Sequence, residues 1–386
     1  MKNETTALNP IDRMIDFLTT HYAFRYNTVM NCTEYRPVDS PVGSFEPLDL
    51  RTRRRIILEV QSEGIEVSQN DIRNYIDSDY VRQYDPVGDY LAECEGVWDG
   101  HDHIGDLALT VPTDTPLWRE WFTTWLLAMV SQWQNQSSRL YGNSVAPLLI
   151  SPQGYNKSTF CRRLLPDALK WGYTDSLALS DRRQVMLAMS QQLLINLDEF
   201  NQISPRVQQG FLKNIIQLPS VKVKRPFGTH IEELPRKASF IATSNMTDIL
   251  ADPSGNRRFI GIELTAPIDT SRVPDHRQLF AQALQLLRNG RRSWFDKAET
   301  EQIMLWNRRY EIQEPADQYF SLCFSVAADP LDPAAEWLST AEIFDVVKQK
   351  VGSSLKANTL IAFGRKLANM PGMHRRKCET CTRYLV

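Results

Sequence analysis

The stretch Ser151-Pro152-Gln153-Gly154-Tyr155-Asn156-Lys157-Ser158-Thr159 constrains this chain more than any other. The apolar run Val145-Ala146-Pro147-Leu148-Leu149-Ile150 precedes it, and Phe160-Cys161-Arg162-Arg163-Leu164-Leu165 follows it. That order predicts a buried strand, a tight loop and a helix. Such a loop aims main-chain N–H groups at an anion, and the helix N-terminus adds positive potential, so the pattern predicts a phosphate cradle. Gln153, Gly154, Tyr155, Asn156, Lys157, Ser158 and Thr159 are its candidate residues. Lys157 is placed to reach β- and γ-phosphates, and Ser158 to ligate Mg2+. The fit to G-x-x-x-x-G-K-[ST] is incomplete: Ser151 stands at the first Gly position and Asn156 at the second. Asn enters the left-handed region more readily than other non-Gly residues, so Asn156 is a workable substitute. The plainer alternative is an ordinary strand-to-helix turn with a solvated lysine.

A second signal lies 41 residues beyond Lys157. Gln192-Leu193-Leu194-Ile195-Asn196-Leu197 leads into Asp198-Glu199-Phe200. A buried strand that delivers two carboxylates at its end suits a Walker B site, with Asp198 holding the Mg2+ shell and Glu199 polarising the attacking water. The run Ala238-Ser239-Phe240-Ile241-Ala242-Thr243-Ser244-Asn245 predicts a third strand, and it places Asn245 where a water beside the γ-phosphate is oriented. Next comes Asp252-Pro253-Ser254-Gly255-Asn256-Arg257-Arg258-Phe259, a turn with two arginines. An arginine there stabilises charge that develops during phosphoryl transfer. The alternative for Arg257 and Arg258 is a basic surface turn.

Taken as a set, these stretches resemble the virulence-associated protein E (VirE/VapE-like) family of mobile elements and phages. That family is similar to the superfamily 3 and poxvirus-type primase-helicase ATPases of the AAA+ fold. Tyr84-Asp85-Pro86-Val87-Gly88-Asp89-Tyr90-Leu91 with Trp98-Asp99-Gly100 looks like the family's lead-in. Trp121-Phe122 through Ala128-Met129-Val130 looks like its helix before the phosphate loop. Gly154 to Phe160, Asp198-Glu199, Arg225-Pro226-Phe227-Gly228, Thr243-Ser244-Asn245 and Gly255-Asn256-Arg257-Arg258-Phe259 complete the likeness over roughly residues 80 to 265. The resemblance implies an ATP- and Mg2+-dependent ring, a hexamer, whose arginine acts on a neighbouring subunit's nucleotide. It also implies that a hairpin in the central pore moves along single-stranded or forked DNA. Ser151 and Asn156 depart from the family's glycines and leave the rate of turnover open. The runner-up is an ATP-gated oligomeric DNA-binding protein, an initiator, regulator or defence-related assembly, that unwinds slowly or not at all. No primase signature is evident, so primer synthesis is absent or comes from a partner.

The whole chain sets bounds on these readings. Its 386 residues allow two or three domains, and 42% hydrophobic with 23% charged residues is ordinary for a globular protein. No run of 18 apolar residues predicts a membrane span, and the polar Met1 to Pro10 predicts no secretory signal. Formal net charge is −2, so nucleic-acid contact must come from local patches. Six scattered cysteines predict thiols in a reducing, cytoplasmic compartment. Cys378-Glu379-Thr380-Cys381 has no second C-x-x-C to complete a zinc site.

The expected fold class is α/β: a P-loop, AAA+-like core with a small α+β N-terminal region and a C-terminal winged-helix-like domain. The expected division is 1–80 for the N-terminal module, 81–141 for a helical lead-in and 142–265 for the ATPase core. A helical connector over 266–335 and a winged helix over 336–386 follow. Trp118, Trp121, Trp125 and Trp133 recur at helical intervals and read as core. The run from Val221 to Ile231 predicts a β-hairpin. Lys222, Lys224, Arg225 and His230 are placed there to track a DNA backbone, with Phe227 to stack; the alternative is a basic hairpin packed near the nucleotide, with Arg225 facing it. From Glu336 to Val386 nine Lys/Arg stand against four Asp/Glu, an excess of five. A helix-helix-basic-wing pattern with Arg375, Arg376 and Lys377 in the wing favours phosphate contact. A small helical cap is the alternative.

Overall fold

The computed structural model describes the chain apart from residues 1–8, 40–43, 136–141, 225–229, 253–255, 313–319, 328, 330–332, 334, 352–358, 371 and 379–380. Asn9 accepts the Asp12 amide at 2.9 Å and Pro10 sits in the first turn, which starts α1 (Pro10–His21). Met14 and Leu18, four residues apart, form its buried pair. The strands β1 (Tyr22–Asn27), β2 (Cys32–Pro37) and β3 (Glu46–Pro47) follow, then α2 (Leu50–Ser62) and α3 (Gln69–Ile76). Ser68 and Asp71 close a capping box on α3. Ile56, Ile57, Val60, Ile72 and Ile76 pack with Met14 and Leu18 into one core. A short strand β4 (Gln83–Tyr84) pairs in parallel with β1, so this sheet runs β3-β2-β1-β4 and extends past residue 80. Two residues carry no periodicity, which is why the sequence pattern ends this module early.

Helices α4 (Pro86–Cys94), α5 (His103–Leu109) and α6 (Trp118–Trp133) lead to the centre. In α6, 14 of 16 residues are buried, so it is an interior helix rather than a surface one. Its four tryptophans are each no more than 3% exposed. Thr123 and Thr124 satisfy their hydroxyls on the carbonyls of Arg119 and Glu120, at 2.8 and 3.1 Å.

The centre comprises β5 (Ala146–Ile150), α7 (Lys157–Arg163), β6 (Tyr173–Thr174), α8 (Arg182–Gln191) and β7 (Leu194–Leu197), then the hairpin β8 (Ser220–Val223) and β9 (Glu232–Pro235), then β10 (Ser239–Ser244) and β11 (Phe259–Glu263). Five of these strands form a sheet in the order β11-β5-β10-β7-β6, with every neighbouring pair parallel. Alternate residues face opposite layers: Leu149 and Ile241 join the core with α6, while Leu148, Ile150, Phe240 and Ala242 join the core with Phe200 and Met189. Covering both faces accounts for the almost unbroken apolar runs of these strands. Parallel strands also put the carboxyl ends of β5, β10 and β7 side by side, and ligands of open α/β sheets bind in the crevice outside such ends.

Helices His276–Arg288 and Lys297–Asn307 pack beside this sheet. At the C-terminus β12 (Trp337–Ser339), helices Thr340–Val351 and Thr359–Asn369, β13 (Arg375–Lys377) and β14 (Thr382–Leu385) follow. The sheet order is β12-β14-β13, around Ile343, Phe344, Val347, Phe363 and Leu367. Among the described residues no helix is long and apolar enough to cross a membrane.

Candidate functional site

One cleft of about 330 Å3 is lined by every residue from Gln153 to Thr159, by Asp198 and Glu199, and by Thr243, Ser244 and Asn245. Three segments far apart in sequence meet there because β10 lies between β5 and β7. Gly154 at φ 83° and Asn156 at φ 61° are both left-handed. They turn the chain sharply enough for Asn156 to open α7, where its carbonyl accepts the Phe160 amide at 2.9 Å. Asn156 does more than substitute for glycine: its Nδ2 donates to the Ile268 carbonyl at 3.0 Å, while the Ile268 amide donates to Tyr155 at 3.2 Å. The loop is thereby tied to the segment after β11.

Lys157 is 8% exposed. Its Nζ donates to Ser151 O at 2.8 Å, Ser151 Oγ at 2.9 Å, Pro152 O at 3.0 Å and Asn245 Oδ1 at 3.0 Å. Burial pulls this ammonium below the ordinary lysine range, against the pull of Asp198. Ser151 stands at the first Gly position of the pattern and uses its hydroxyl to hold the lysine. Ser158 Oγ reaches Asp198 Oδ1 at 3.4 Å, and the same oxygen accepts from Thr243 Oγ1. Thr243 was not singled out by the sequence pattern. The signal is in the register: Ala242 pairs with Leu197, which sets Thr243 beside Asp198. Glu199 adopts φ 49°, ψ 48°, a costly region for a non-Gly residue, and Gln202 Nε2 donates to its carboxylate. Its side chain is exposed in the cleft. A hydroxyl and a carboxylate side by side are hard oxygen donors of the kind that share Mg2+ with substrate phosphates.

Arg257 and Arg258 lie elsewhere. They precede β11, which starts opposite the first residue of β5, so they belong to the amino-end edge of the sheet. Arg257 is exposed. Arg258 is 8% exposed, donates to Gln217 Oε1 at 2.6 Å, and is held below the ordinary arginine range by burial and by Arg257. Asn256, just before them, is fixed by Glu311 Oε1 at 3.1 Å and by Asn307, which donates to its carbonyl at 2.7 Å.

The expected hairpin is present as β8 and β9, paired from Ser220↔Pro235 to Val223↔Glu232. Lys222, Lys224 and His230 are exposed, while Arg225 and Phe227 lie outside the described residues. Lys222 faces Glu233 across the strands, with Nζ 3.8 Å from Oε2. The acidic pair Glu232-Glu233 thus offsets the basic strand, which the sequence reading overlooked. At the C-terminus Arg375, Arg376 and Lys377 are all exposed on β13. Cys378 and Cys381 join its hairpin to β14, with the Cys378 amide donating to Cys381 O at 2.8 Å. Among the described residues no group of three or more His, Cys, Asp or Glu is arranged to hold a metal.

The architecture is a mixed α/β fold with a parallel sheet, of the kind that nucleotide-binding cores use. A family model for the virulence-associated protein E-like domain matches residues 91–312, and the chain belongs to that family. A second model, a domain of unknown function described from a B. Theta gene, matches residues 313–386. The apo structure of the NrS-1 C-terminal region is similar at TM-score 0.52 and 13% identity, covering 98% of this chain and 99% of that one. An A-form apo structure of the same region gives TM-score 0.49 at 13% identity, with the same coverage. At 13% identity the first likeness is one of fold. No curated protein matches by sequence.

Proposed function

We propose that this chain is an ATP-driven DNA translocase or helicase of the superfamily 3 type, working as a ring in replication of a mobile element or phage. The observation that carries the reading is the single cleft that gathers Lys157, Ser158, Asp198, Glu199 and Asn245 from three strand ends. In this reading 151–159 is a P-loop. Lys157 exchanges its loop carbonyls for the β- and γ-phosphates, and main-chain N–H groups at the start of α7 complete the cradle. Ser158 and Asp198 hold Mg2+, which when bound neutralises phosphate charge. Asn245 orients the attacking water and Glu199 takes its proton.

Arg257 acts on a neighbouring subunit's nucleotide. Its own cleft is at the opposite edge, a five-residue strand away, roughly 17 Å at 3.3 Å per residue. Arg258, buried against Gln217, has a structural role in this reading. The C-terminal unit is winged-helix-like in its strand order, with the basic β13 toward DNA, and the exposed Lys222 and Lys224 supply the pore contact.

The pairing of Lys222 with Glu233 favours a second reading, in which the ATP state gates assembly on DNA through the C-terminal unit without unwinding. The test measures ATPase with and without single-stranded DNA, together with strand separation on a fork, for the native chain and for Lys222→Ala/Lys224→Ala. The first reading expects DNA stimulation and unwinding, both reduced in the variant. ATP-dependent DNA binding with no strand separation and no effect of the variant selects the second.

A further inference from the structure

The turn that carries Arg257 is held on both flanks by one short segment, 307–312. Asn307 ends the helix Lys297–Asn307 and is fully buried. A buried amide is costly unless its groups are bonded, and this one spends them on the main chain around the arginines. Its Nδ2 donates to Asn256 O at 2.7 Å and to Phe259 O at 2.6 Å, and its Oδ1 accepts the Gly261 amide at 3.0 Å. Four residues on, Glu311 Oε1 accepts from Asn256 Nδ2 at 3.1 Å, and Asn256 Oδ1 accepts the Asp252 amide at 3.1 Å. On the flank before the turn, Tyr310 O accepts the amides of Ile249 and Leu250 at 3.0 and 2.9 Å, and the Ile312 amide donates to Leu250 O at 2.9 Å. The segment lies this close to β11 because residue 261 is glycine: a Cβ there would collide with the buried Tyr310 ring.

The result is a fixed base with one projecting arm. Asn256 and Arg258 are 6% and 8% exposed. The Arg258 carbonyl accepts the Ala146 amide at 2.8 Å, and its side chain is bonded to Gln217. From Asn256 to Ile260, Arg257 alone is exposed. Its guanidinium sits at the end of a long side chain, so play in the main chain at 256–258 adds to the play of the side chain itself. A misplacement of about 1 Å caused far from the chemistry can cost about 10^2-fold in rate. An apolar side chain at 307 would fill the same volume; the amide adds the three bonds that fix Asn256, Phe259 and Gly261.

We propose that Asn307 and Glu311 are positioning residues for Arg257. They act through Asn256, fixing the main chain from which the guanidinium reaches a neighbouring subunit's nucleotide, and they support turnover without touching that nucleotide. This rests on the role given to Arg257 above.

The experiment measures kcat and KM for ATP with single-stranded DNA present, and ATP affinity by calorimetry, on the full chain. The variants are Arg257→Ala, Glu311→Ala, Glu311→Gln, Asn307→Ser and the doubles Arg257→Ala/Glu311→Ala and Arg257→Ala/Asn307→Ser. Glu311→Ala and Asn307→Ser are each expected to lower kcat about tenfold, with ATP affinity within about twofold of native. Glu311→Gln is expected to keep most of the turnover, because its amide oxygen still accepts from Asn256. In the Arg257→Ala background neither change is expected to cost anything more, since residues that act only through Arg257 have nothing left to position. Mixing Glu311→Ala with Lys157→Ala is expected to restore part of the turnover, as the second chain's intact turn meets the first chain's intact cleft. Native kcat in Glu311→Ala overturns the proposal. So does a further tenfold loss in either double variant, which is what a merely structural role produces, or a fall in ATP affinity that matches the fall in kcat. If Asn307→Ser does not fold, the Glu311 series decides alone. If Arg257→Ala itself turns over at the native rate, the role of Arg257 falls and the proposal with it; failure confined to the Glu311 and Asn307 variants leaves Arg257 in place.

Discussion

The two edges of the central sheet are made by the same strands, yet they treat polar groups in opposite ways. At the carboxyl-end edge Asp198, Glu199 and Asn245 are exposed into a cleft. At the amino-end edge Arg236 and Lys237 are buried and bonded to main-chain carbonyls. Arg236 is 1% exposed and donates to Ala238 O at 2.7 Å, Ile216 O at 2.5 Å, Leu218 O at 3.1 Å and Asn143 O at 3.0 Å. Burial lowers it to about 9, so it stays a cation at neutral pH. Lys237 donates to Trp133 O at 2.5 Å, and Gln132 bridges the Asn143 amide and the Ala238 carbonyl. The contrast teaches that a charged residue beside this sheet reads as functional only where its bonding capacity is left open. Lys157 is the intermediate case: it is buried on loop carbonyls that a phosphate can replace.

The largest expected break in this comparison is Glu199→Gln. Nucleotide binding should persist while hydrolysis falls by roughly 10^2-fold or more, because one proton acceptor is removed from a cleft that is otherwise intact. Single-turnover assays check it; hydrolysis at the native rate would remove Glu199 from the role of base. Next come the paired arginines. Arg257→Ala should fold and bind nucleotide normally but lose turnover, and mixing it with Lys157→Ala should restore part of it if the arginine acts across an interface. Arg258→Ala should instead lower stability by about 1–3 kcal/mol, since Gln217 and a buried cavity are left behind. Urea midpoints on both variants separate these effects.

Arg236→Met tests the structural edge by itself. The Ile216, Leu218 and Asn143 carbonyls lose the arginine donor and the Ala238 carbonyl keeps Gln132, and a loss of roughly 3 kcal/mol in unfolding free energy is expected, with nucleotide affinity unchanged in the folded protein. A weakened affinity there would show that the two edges are coupled. The smallest effect is in pH. Burial depresses the Lys157 ammonium, and a bound triphosphate favours its charged form, so binding takes up protons on the alkaline side. Affinity should be full near neutral pH and decline as pH rises through the depressed value, below the ordinary lysine value of about 10.4. Lys157→Arg, always charged, should show no such decline.

Much of the carboxyl-end edge was legible in the sequence because each part is a local signal. A strand run ending in Asp198-Glu199, another ending in Asn245 and a loop before Lys157 each need only about ten residues to be seen. Their convergence followed from the parallel order that alternating strands and helices imply. What stayed hidden depends on distant partners. The tie from Asn156 to Ile268 spans 112 residues and shows why an Asn stands at a Gly position: a glycine would keep the turn and lose the tie. Arg257 and Arg258 are neighbours in sequence with opposite exposures, which only the packing against Gln217 decides. The basic hairpin looked stronger than it is because Glu232 and Glu233 return on the opposite strand, outside the window that shows Lys222 and Lys224.

The central claim is that the carboxyl-end cleft binds a nucleoside triphosphate through Lys157. Calorimetric titration of Mg·ATP into the native chain and into Lys157→Ala, with the fold of both checked by circular dichroism, tests it most directly. Saturable one-site binding to the native chain is expected, with a loss of affinity of about 100-fold or more in the variant, because the variant lacks the cation that Ser151, Pro152 and Asn245 hold at the cleft. Equal affinity in the two proteins, with both folded, would contradict it.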